Sequence, residues 1–254
     1  MTFKMWSAFH IAFILSPFIF SILMYIYTRK YNYEKNRKIG IILSIICIVF
    51  LALRNIEIAI NSDGFNPEIL PLQICHFANF VLLIAFLRDS KPMFATAFCF
   101  NLPCAFLSIV FANSLENYST ILNFRGIAYI FGHMLIVGIT IWALLVGFMN
   151  LTKKDLYKGI AFVLILFVLS VPINNLLNDL LPQYTANYFY TIKPESGTPL
   201  EDMYNLGKVI SVVGIEFNLV YIILDLILGS IVFLGFYLAV KGLNRKFDFE
   251  LQAI

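Results

Sequence analysis

The chain has 254 residues, of which 60% are hydrophobic and only 13% are charged, and its formal net charge is +3. A soluble domain has about a quarter of its residues charged, so this composition excludes a soluble fold. It also excludes a nucleic-acid-binding protein, because no large basic surface exists to carry that function.

Seven apolar segments follow one another along the chain, and each is long enough to cross a bilayer as a helix. Backbone groups inside hydrocarbon must satisfy their own hydrogen bonds, so helices rather than open strands are expected. The first segment is followed by five basic residues, which favours a retained helix over a cleaved signal peptide. We predict an all-α, polytopic membrane helix bundle that forms a single transmembrane domain over residues 1–254. Its spans cover residues 8–27, 39–60, 69–87, 93–112, 127–149, 159–178 and 217–240.

Positive charge divides the connections into two sets. The connections 28–38, 88–92 and 150–158, together with the tail after residue 240, hold thirteen Lys and Arg residues, whereas the opposite set holds four. Because Lys and Arg mark the cytoplasmic side, we expect the N-terminus outside, the C-terminus inside and the protein in the cell membrane. The longest connection, residues 179–216, then lies outside, and its aromatic residues favour a folded lid over a flexible linker.

Polar residues within the spans are concentrated near the predicted outer side. Such residues cost free energy in lipid unless they are paired or hydrated, so each is a candidate for function. Arg54 and Glu57 share a helix face at i, i+3 spacing, and they either pair with each other or contribute to a site. The simpler interpretation of the whole set is hydrogen bonding between helices, although its convergence at one depth favours a pocket. The candidate substrate-binding residues are Arg54, Glu57, Asn79, Asn175, Asn178, Asn187, Tyr188 and Asp225.

Cysteine and histidine supply the candidate nucleophile and base. Among the four cysteines, Cys75 has polar neighbours near the interface. A thiolate attacks acyl carbons well when an imidazole takes its proton. His76 adjoins Cys75 but points about 100° away on a helix, whereas His133 lies at a similar depth on another span. The geometry alone leaves open whether Cys75 and His133 form a pair or are ordinary buried residues. No metal-ligand cluster or cofactor motif is present, so we expect neither a metal nor a cofactor.

Three short motifs resemble the YwaF family of bacterial integral membrane proteins. They are residues 70–75 (LPLQIC), the Gly132-His133 dipeptide, and residues 187–190 (NYFY) followed by Lys193-Pro194. That family is similar to vertebrate transmembrane proteins proposed to be cysteine-dependent acyltransferases of ether phospholipids. The resemblance implies that Cys75 is the nucleophile and His133 the base.

The resemblance implies a membrane-embedded phospholipid acyltransferase or transacylase, or a lipid ester hydrolase, with phospholipid and lysophospholipid as its partners. The alternative is a lipid or small-molecule transporter or scramblase that is not an enzyme. It would use Arg54, Glu57 and Asp225 as pathway residues, but the polar residues do not continue to the inner side and no inverted repeat is visible. A seven-span receptor or assembly factor is a third possibility, supported only by the number of spans.

Overall fold

The computed structural model of the chain describes residues 2–118, 120–195 and 198–252. Within them, seven helical segments are long and apolar enough to cross a membrane. The helices are α1 (Ala8–Thr28), α2 (Tyr33–Asn61), α3 (Ile74–Arg88), α4 (Lys91–Thr96), α5 (Leu102–Val110), α6 (Phe124–Leu145), α7 (Lys153–Leu180), α8 (Pro199–Asn205) and α9 (Leu219–Gln252). α4 and α5 together form the fourth span, and α8 is a short helix outside the spans. The predicted all-α membrane bundle of seven spans is therefore confirmed.

Polar residues at the starts of four spans explain where those helices begin. Ser7, Asn32, Asn123 and Thr152 are the N-caps of α1, α2, α6 and α7, and each side-chain oxygen accepts a backbone N–H of the first turn. Thr152 also forms a reciprocal capping box with Asp155. Such caps satisfy N–H groups that have no partner within the helix.

The fourth span is broken at its centre. Between α4 and α5, residues Ala97–Asn101 form a π-helical turn, in which the N–H of Leu102 bonds to the carbonyl of Ala97. Pro103 follows directly, and its missing N–H removes one bond of a regular helix. The extra residue in the π turn rotates the rest of the span relative to its first half. This rotation decides which face of α5 points toward the neighbouring helices.

The core of the bundle is built around α6, which packs against α1, α2, α3 and α5. Four aromatic residues of this core, Phe86, Phe94, Trp142 and Phe148, are completely buried. Phe86 contacts Phe94 and Phe148 edge-on, with ring centroids 5.0 and 5.2 Å apart. Gly40 lets α2 approach closely, because a side chain at this position would overlap the Phe86 ring. Lipid tails are as apolar as these rings, so close packing, not transfer from water, stabilises the contact.

One end of the bundle is covered by a folded cap, which we define as residues 181–195 and 198–218. The cap contains a 3-10 turn (Tyr188–Tyr190), α8 and an antiparallel hairpin of β1 (Val209–Val212) and β2 (Ile215–Asn218). The hairpin was not predicted, and the last span begins at Leu219 instead of residue 217 because β2 continues to Asn218. The third span also differs, since residues 70–73 form a turn before α3 and are not helical.

Candidate active site

Cys75 is the second residue of α3 and lies at the end of the bundle that carries the cap. Its helix begins without a side-chain cap, because Gln73 at the N-cap position makes no such bond. The first-turn N–H groups of a helix and its macrodipole place partial positive charge at this end. The local fold therefore gives Cys75 a setting that favours negative charge.

His133 lies in the third turn of α6, and its side chain is close enough to the Cys75 thiol to interact with it electrostatically. Its Nδ1 atom is 2.6 Å from the backbone oxygen of Tyr129. A carbonyl oxygen can only accept, so Nδ1 must carry the hydrogen. In the neutral ring, Nε2 is then unprotonated and available to take a proton from the thiol. The pairing of Cys75 as nucleophile with His133 as base stays a prediction.

Ser108 of α5 contacts both α3 and α6, through Cys75 and Tyr129. The Cys75 Sγ atom lies 3.9 Å from the Ser108 Oγ atom. The Tyr129 hydroxyl donates to the backbone oxygen of Ser108 at 2.8 Å. Because the Tyr129 carbonyl also accepts the His133 Nδ1–H, one residue orients both the imidazole and α5. The side chains of Cys75, Ser108 and His133 thus converge from α3, α5 and α6.

Three polar residues near this centre have side-chain atoms without partners among the described residues. Asn79, one turn after Cys75, is 4% exposed, and its Oδ1 atom accepts no hydrogen bond. Asn101, in the π turn, is 1% exposed, and neither of its amide atoms is bonded. The Nδ1 atom of His76 is also buried and unpaired. Buried polar groups are ordinarily bonded, so the centre retains unused hydrogen-bonding capacity.

Arg54 pairs with Glu68 and not with Glu57. Glu68, in the 3-10 turn before α3, lies 2.5 Å from Arg54 and 2.7 Å from Arg125 of α6. Glu57 instead accepts the backbone N–H of Arg125 at 3.0 Å. Of the two alternatives left open for Arg54 and Glu57, an ion pair between them is therefore the one that the structure does not form. The ion pairs tie α2 and α6 to the turn that leads into Cys75.

The asparagine residues at the end of α7 hold the cap. Asn178 exchanges two hydrogen bonds with the backbone of Ala186, at 2.6 and 3.1 Å. Asn175 does the same with Glu216, at 2.9 and 3.0 Å. Asn187 donates to the backbone oxygen of Lys193 and accepts from the N–H groups that follow it. Three of the four asparagines predicted to bind substrate, Asn175, Asn178 and Asn187, are therefore hydrogen-bonded to the backbone of the cap.

Tyr188 joins the cap to the connection before α3. Its hydroxyl donates to the backbone oxygen of Pro67 at 2.5 Å, and burial raises the pKa of Tyr188 to about 12. The phenol therefore remains a donor at physiological pH. The next two residues, Phe189 and Tyr190, both have a positive φ of 56°, which is uncommon for large side chains. This strained turn is held in place by the Phe189 ring, which stacks on Phe100.

Asp225 lies on α9, away from the ion pairs. It is near Cys104 of α5 and one turn after Tyr221. None of the ion pairs among the described residues includes it. The Tyr221 hydroxyl donates to the backbone oxygen of Tyr190 and so connects α9 to the cap. Among the predicted substrate-binding residues, Asp225 is therefore the one that lies on α9.

The candidate site also contains three residues that the sequence did not single out, namely Ser108, Glu68 and Arg125. Ser108 follows Cys104 by four residues, so a polar stripe on the fourth span was its only signal. Glu68 and Arg125 lie near span ends, where charged residues are ordinary. Their convergence depends on how the connections fold, which spacing along a helix does not reveal.

A family model described as "TMEM164 family" matches residues 3–237, which include the whole site. No curated protein and no solved structure matches the chain.

Proposed function

The chain belongs to the TMEM164 family of membrane proteins, and we propose that it is a phospholipid acyltransferase that works through a thioester on Cys75. The single observation that carries the proposal is that Cys75 of α3 and His133 of α6 are close enough for their side chains to interact. A thiol beside an imidazole oriented by a third group is the arrangement that nucleophilic catalysis requires. The resemblance of residues 70–75 and 187–190 to the YwaF family adds support.

The first half of the reaction moves an acyl group from a phospholipid to the protein. His133 Nε2 takes the proton from Cys75, and the thiolate attacks the ester carbonyl of the lipid. The ester C–O bond breaks, and the leaving lysophospholipid alkoxide takes the proton from His133. The products are an acyl thioester on Cys75 and a lysophospholipid.

The second half transfers the acyl group to an acceptor. His133 takes the proton from the hydroxyl of a second lysophospholipid, whose oxygen attacks the thioester. The C–S bond then breaks and the thiolate recovers the proton. Water in place of the lysophospholipid would give a fatty acid instead, so hydrolysis uses the same residues. Asn79, one turn from Cys75, is the candidate for binding the carbonyl oxygen during both steps, by donating an N–H of its Nδ2 amide group.

The substrates are lipids of the cell membrane. With the N-terminus outside, Cys75 and His133 lie near the outer leaflet, which supplies both phospholipid and lysophospholipid. Acyl-CoA is a poor donor for a site that faces away from the cytoplasm. Arg54, which is 9% exposed and lies two turns before the end of α2, is beside the polar headgroup region in this orientation.

An acyl-enzyme experiment tests the proposal. Purified protein is incubated with a phospholipid that carries a deuterated acyl chain, and its intact mass is measured. The wild type should gain one acyl mass, which neutral hydroxylamine removes because the bond is a thioester. Cys75→Ser should lack the hydroxylamine-sensitive adduct, whereas Cys47→Ser, at a buried cysteine of α2, should retain it. No adduct in the wild type, or an equal thioester adduct in Cys75→Ser, would refute the proposal.

Lipid transport is the second candidate, favoured by the polar atoms of Asn79 and Asn101 that have no partner among the described residues. Unpaired polar groups within a membrane bundle also occur along transport pathways. Lipid movement across liposome membranes that persists in both Cys75→Ala and His133→Ala, without acyl transfer in the wild type, would select this candidate.

A further inference from the structure

Within the described part of the chain, Ser108 is the one residue whose side-chain hydroxyl contacts the Cys75 sulfur. Its Oγ atom is 3.9 Å from Sγ, and either atom can donate in this contact. The same hydroxyl now donates to the backbone oxygen of Cys104, four residues earlier in α5, at 3.1 Å. The lone pairs of the Ser108 oxygen therefore face the thiol, while the hydroxyl hydrogen points toward the Cys104 carbonyl.

When the thiol loses its proton, the sulfur changes from a hydrogen-bond donor to an acceptor. A thiolate cannot donate and instead accepts hydrogen bonds, and bonds to a charged acceptor are about twice as strong as neutral ones. The Ser108 hydroxyl can rotate from Cys104 to the sulfur without moving its helix. The abandoned carbonyl of Cys104 lies within α5, where the backbone N–H four residues later ordinarily bonds to it. The rotation thus leaves no buried carbonyl without a partner.

The surrounding contacts hold Ser108 at this position. The Tyr129 hydroxyl fixes the backbone oxygen of Ser108, and the Tyr129 carbonyl fixes the His133 ring. The π turn before Pro103 sets the rotation of α5 and hence the direction of its later side chains. Ser108 is therefore placed by contacts that also place the base.

We propose that Ser108 stabilises the Cys75 thiolate by donating its hydroxyl hydrogen to the sulfur when His133 holds the thiol proton. The proton passes from Sγ to Nε2, and the negative charge on sulfur is then balanced by the imidazolium and by the Ser108 O–H. This role deepens the proposed acyl transfer, and its chemistry rests on Cys75 as the nucleophile of that function. It can nevertheless be measured without any lipid substrate.

The test is the pH dependence of Cys75 alkylation by iodoacetamide in the full-length protein. The extent of reaction at Cys75 is followed by peptide mass spectrometry, which separates it from the other cysteines. In Ser108→Ala, the midpoint of the profile should rise by roughly one pH unit, which is a tenfold loss of thiolate at a given pH below it. Ser108→Thr keeps a hydroxyl and should stay within a few tenths of a unit of the wild type.

Ser230→Ala is the matched control. The Ser230 hydroxyl also donates to a carbonyl four residues earlier, that of Leu226, at 2.8 Å, but it lies on α9 and has no contact with the sulfur. Its alkylation profile should match the wild type. An unchanged midpoint in Ser108→Ala, or an equal rise in Ser108→Thr or Ser230→Ala, would overturn the inference.

The outcomes separate this inference from the proposed function. Acyl-enzyme formation with no midpoint change in Ser108→Ala would leave the acyltransferase standing and remove the role of Ser108. A midpoint change without any acyl-enzyme would retain the Ser108–Cys75 interaction and remove the acyltransferase. If Ser108→Ala does not fold, the comparison of Ser108→Thr with Ser108→Gly decides the matter, because only the first of these keeps the hydroxyl.

Discussion

The His133 Nδ1 atom donates its hydrogen to the backbone oxygen of Tyr129 over 2.6 Å, within the same helix. This bond fixes which ring nitrogen is protonated, and in the proposed reaction it leaves Nε2 to act as the base for Cys75. A backbone carbonyl thus does for His133 what a carboxylate does in other nucleophile–base pairs. The bond costs no additional charge inside the membrane, where an unpaired carboxylate would be unfavourable.

The first prediction concerns the base. His133→Asn should reduce the rate of acyl-enzyme formation by about 100- to 10,000-fold, the range that general base catalysis contributes. The rate is measured from the time course of intact mass after addition of phospholipid. Thr140→Ala on the same helix removes a buried hydroxyl that bonds only to the backbone and should react at the wild-type rate. A His133→Asn rate within threefold of the wild type would contradict the assigned base.

The second prediction concerns the ion pairs before α3. Glu68→Gln leaves Arg54 buried without a counter-charge, so the free energy of unfolding should fall. Breaking a fully buried pair costs 3–5 kcal/mol, and we expect about 2 kcal/mol because the Glu68 side chain is 32% exposed. Glu34→Gln, which removes the exposed pair with Arg37, should cost less than about 0.5 kcal/mol. Thermal unfolding in detergent measures the stability of both variants. Equal losses of unfolding free energy would show that the ion pairs of Glu68 do not stabilise the protein more than an exposed pair does.

The sequence predicted the seven spans because long apolar runs are a direct consequence of the bilayer thickness. It also predicted that Cys75 and His133 lie at one depth, since both occur within a few turns of the same end of their spans. Their contact could not be derived from depth alone. It depends on how α3 and α6 rotate about their axes, and packing against neighbouring helices decides that rotation.

The partners of the predicted polar residues were harder to obtain from the sequence. Arg54 and Glu57 have the spacing of a helical pair, yet the turn before α3 places Glu68 closer to Arg54. Asn175 and Asn178 bond to the backbone of the cap, and their partners are 41 and 8 residues away in the chain. Such contacts depend on how a connection folds back, and no periodicity encodes them.

The third prediction concerns the cap. Asn174 is completely buried and bonds to the N–H and the carbonyl of Tyr188, at 2.8 and 2.9 Å. Asn174→Ala leaves the buried N–H of Tyr188 unpaired, whereas the Tyr188 carbonyl still accepts from the Thr191 hydroxyl. The variant should destabilise the cap locally by about 2 kcal/mol. Hydrogen exchange of residues 186–193 should become faster by roughly 30-fold, the factor that this free energy corresponds to. Asn61→Ala, at an exposed asparagine, should leave that exchange unchanged, and slow exchange in both variants would contradict the role of Asn174.

The fourth prediction is the orientation of the bundle. Thirteen of the basic residues in the connections lie on one side, so the C-terminus should be cytoplasmic and the cap external. Fused to the C-terminus and expressed in a bacterial host, green fluorescent protein should fluoresce, and alkaline phosphatase should be inactive. A cap-side cysteine, introduced as Lys208→Cys, should react with an impermeant maleimide on intact cells. The reverse pattern would place the site on the cytoplasmic side and make acyl-CoA an accessible donor again.

Acyl transfer between two lipids is the most direct test of the account. Proteoliposomes hold a phospholipid with a deuterated acyl chain and a lysophospholipid with a different headgroup, and mass spectrometry follows the deuterated chain. The wild type should move this chain onto the second lipid, Cys75→Ala should abolish the transfer, and Ser230→Ala should retain it. Transfer at the wild-type rate in Cys75→Ala, or none in a wild-type protein that is folded, would contradict the central claim.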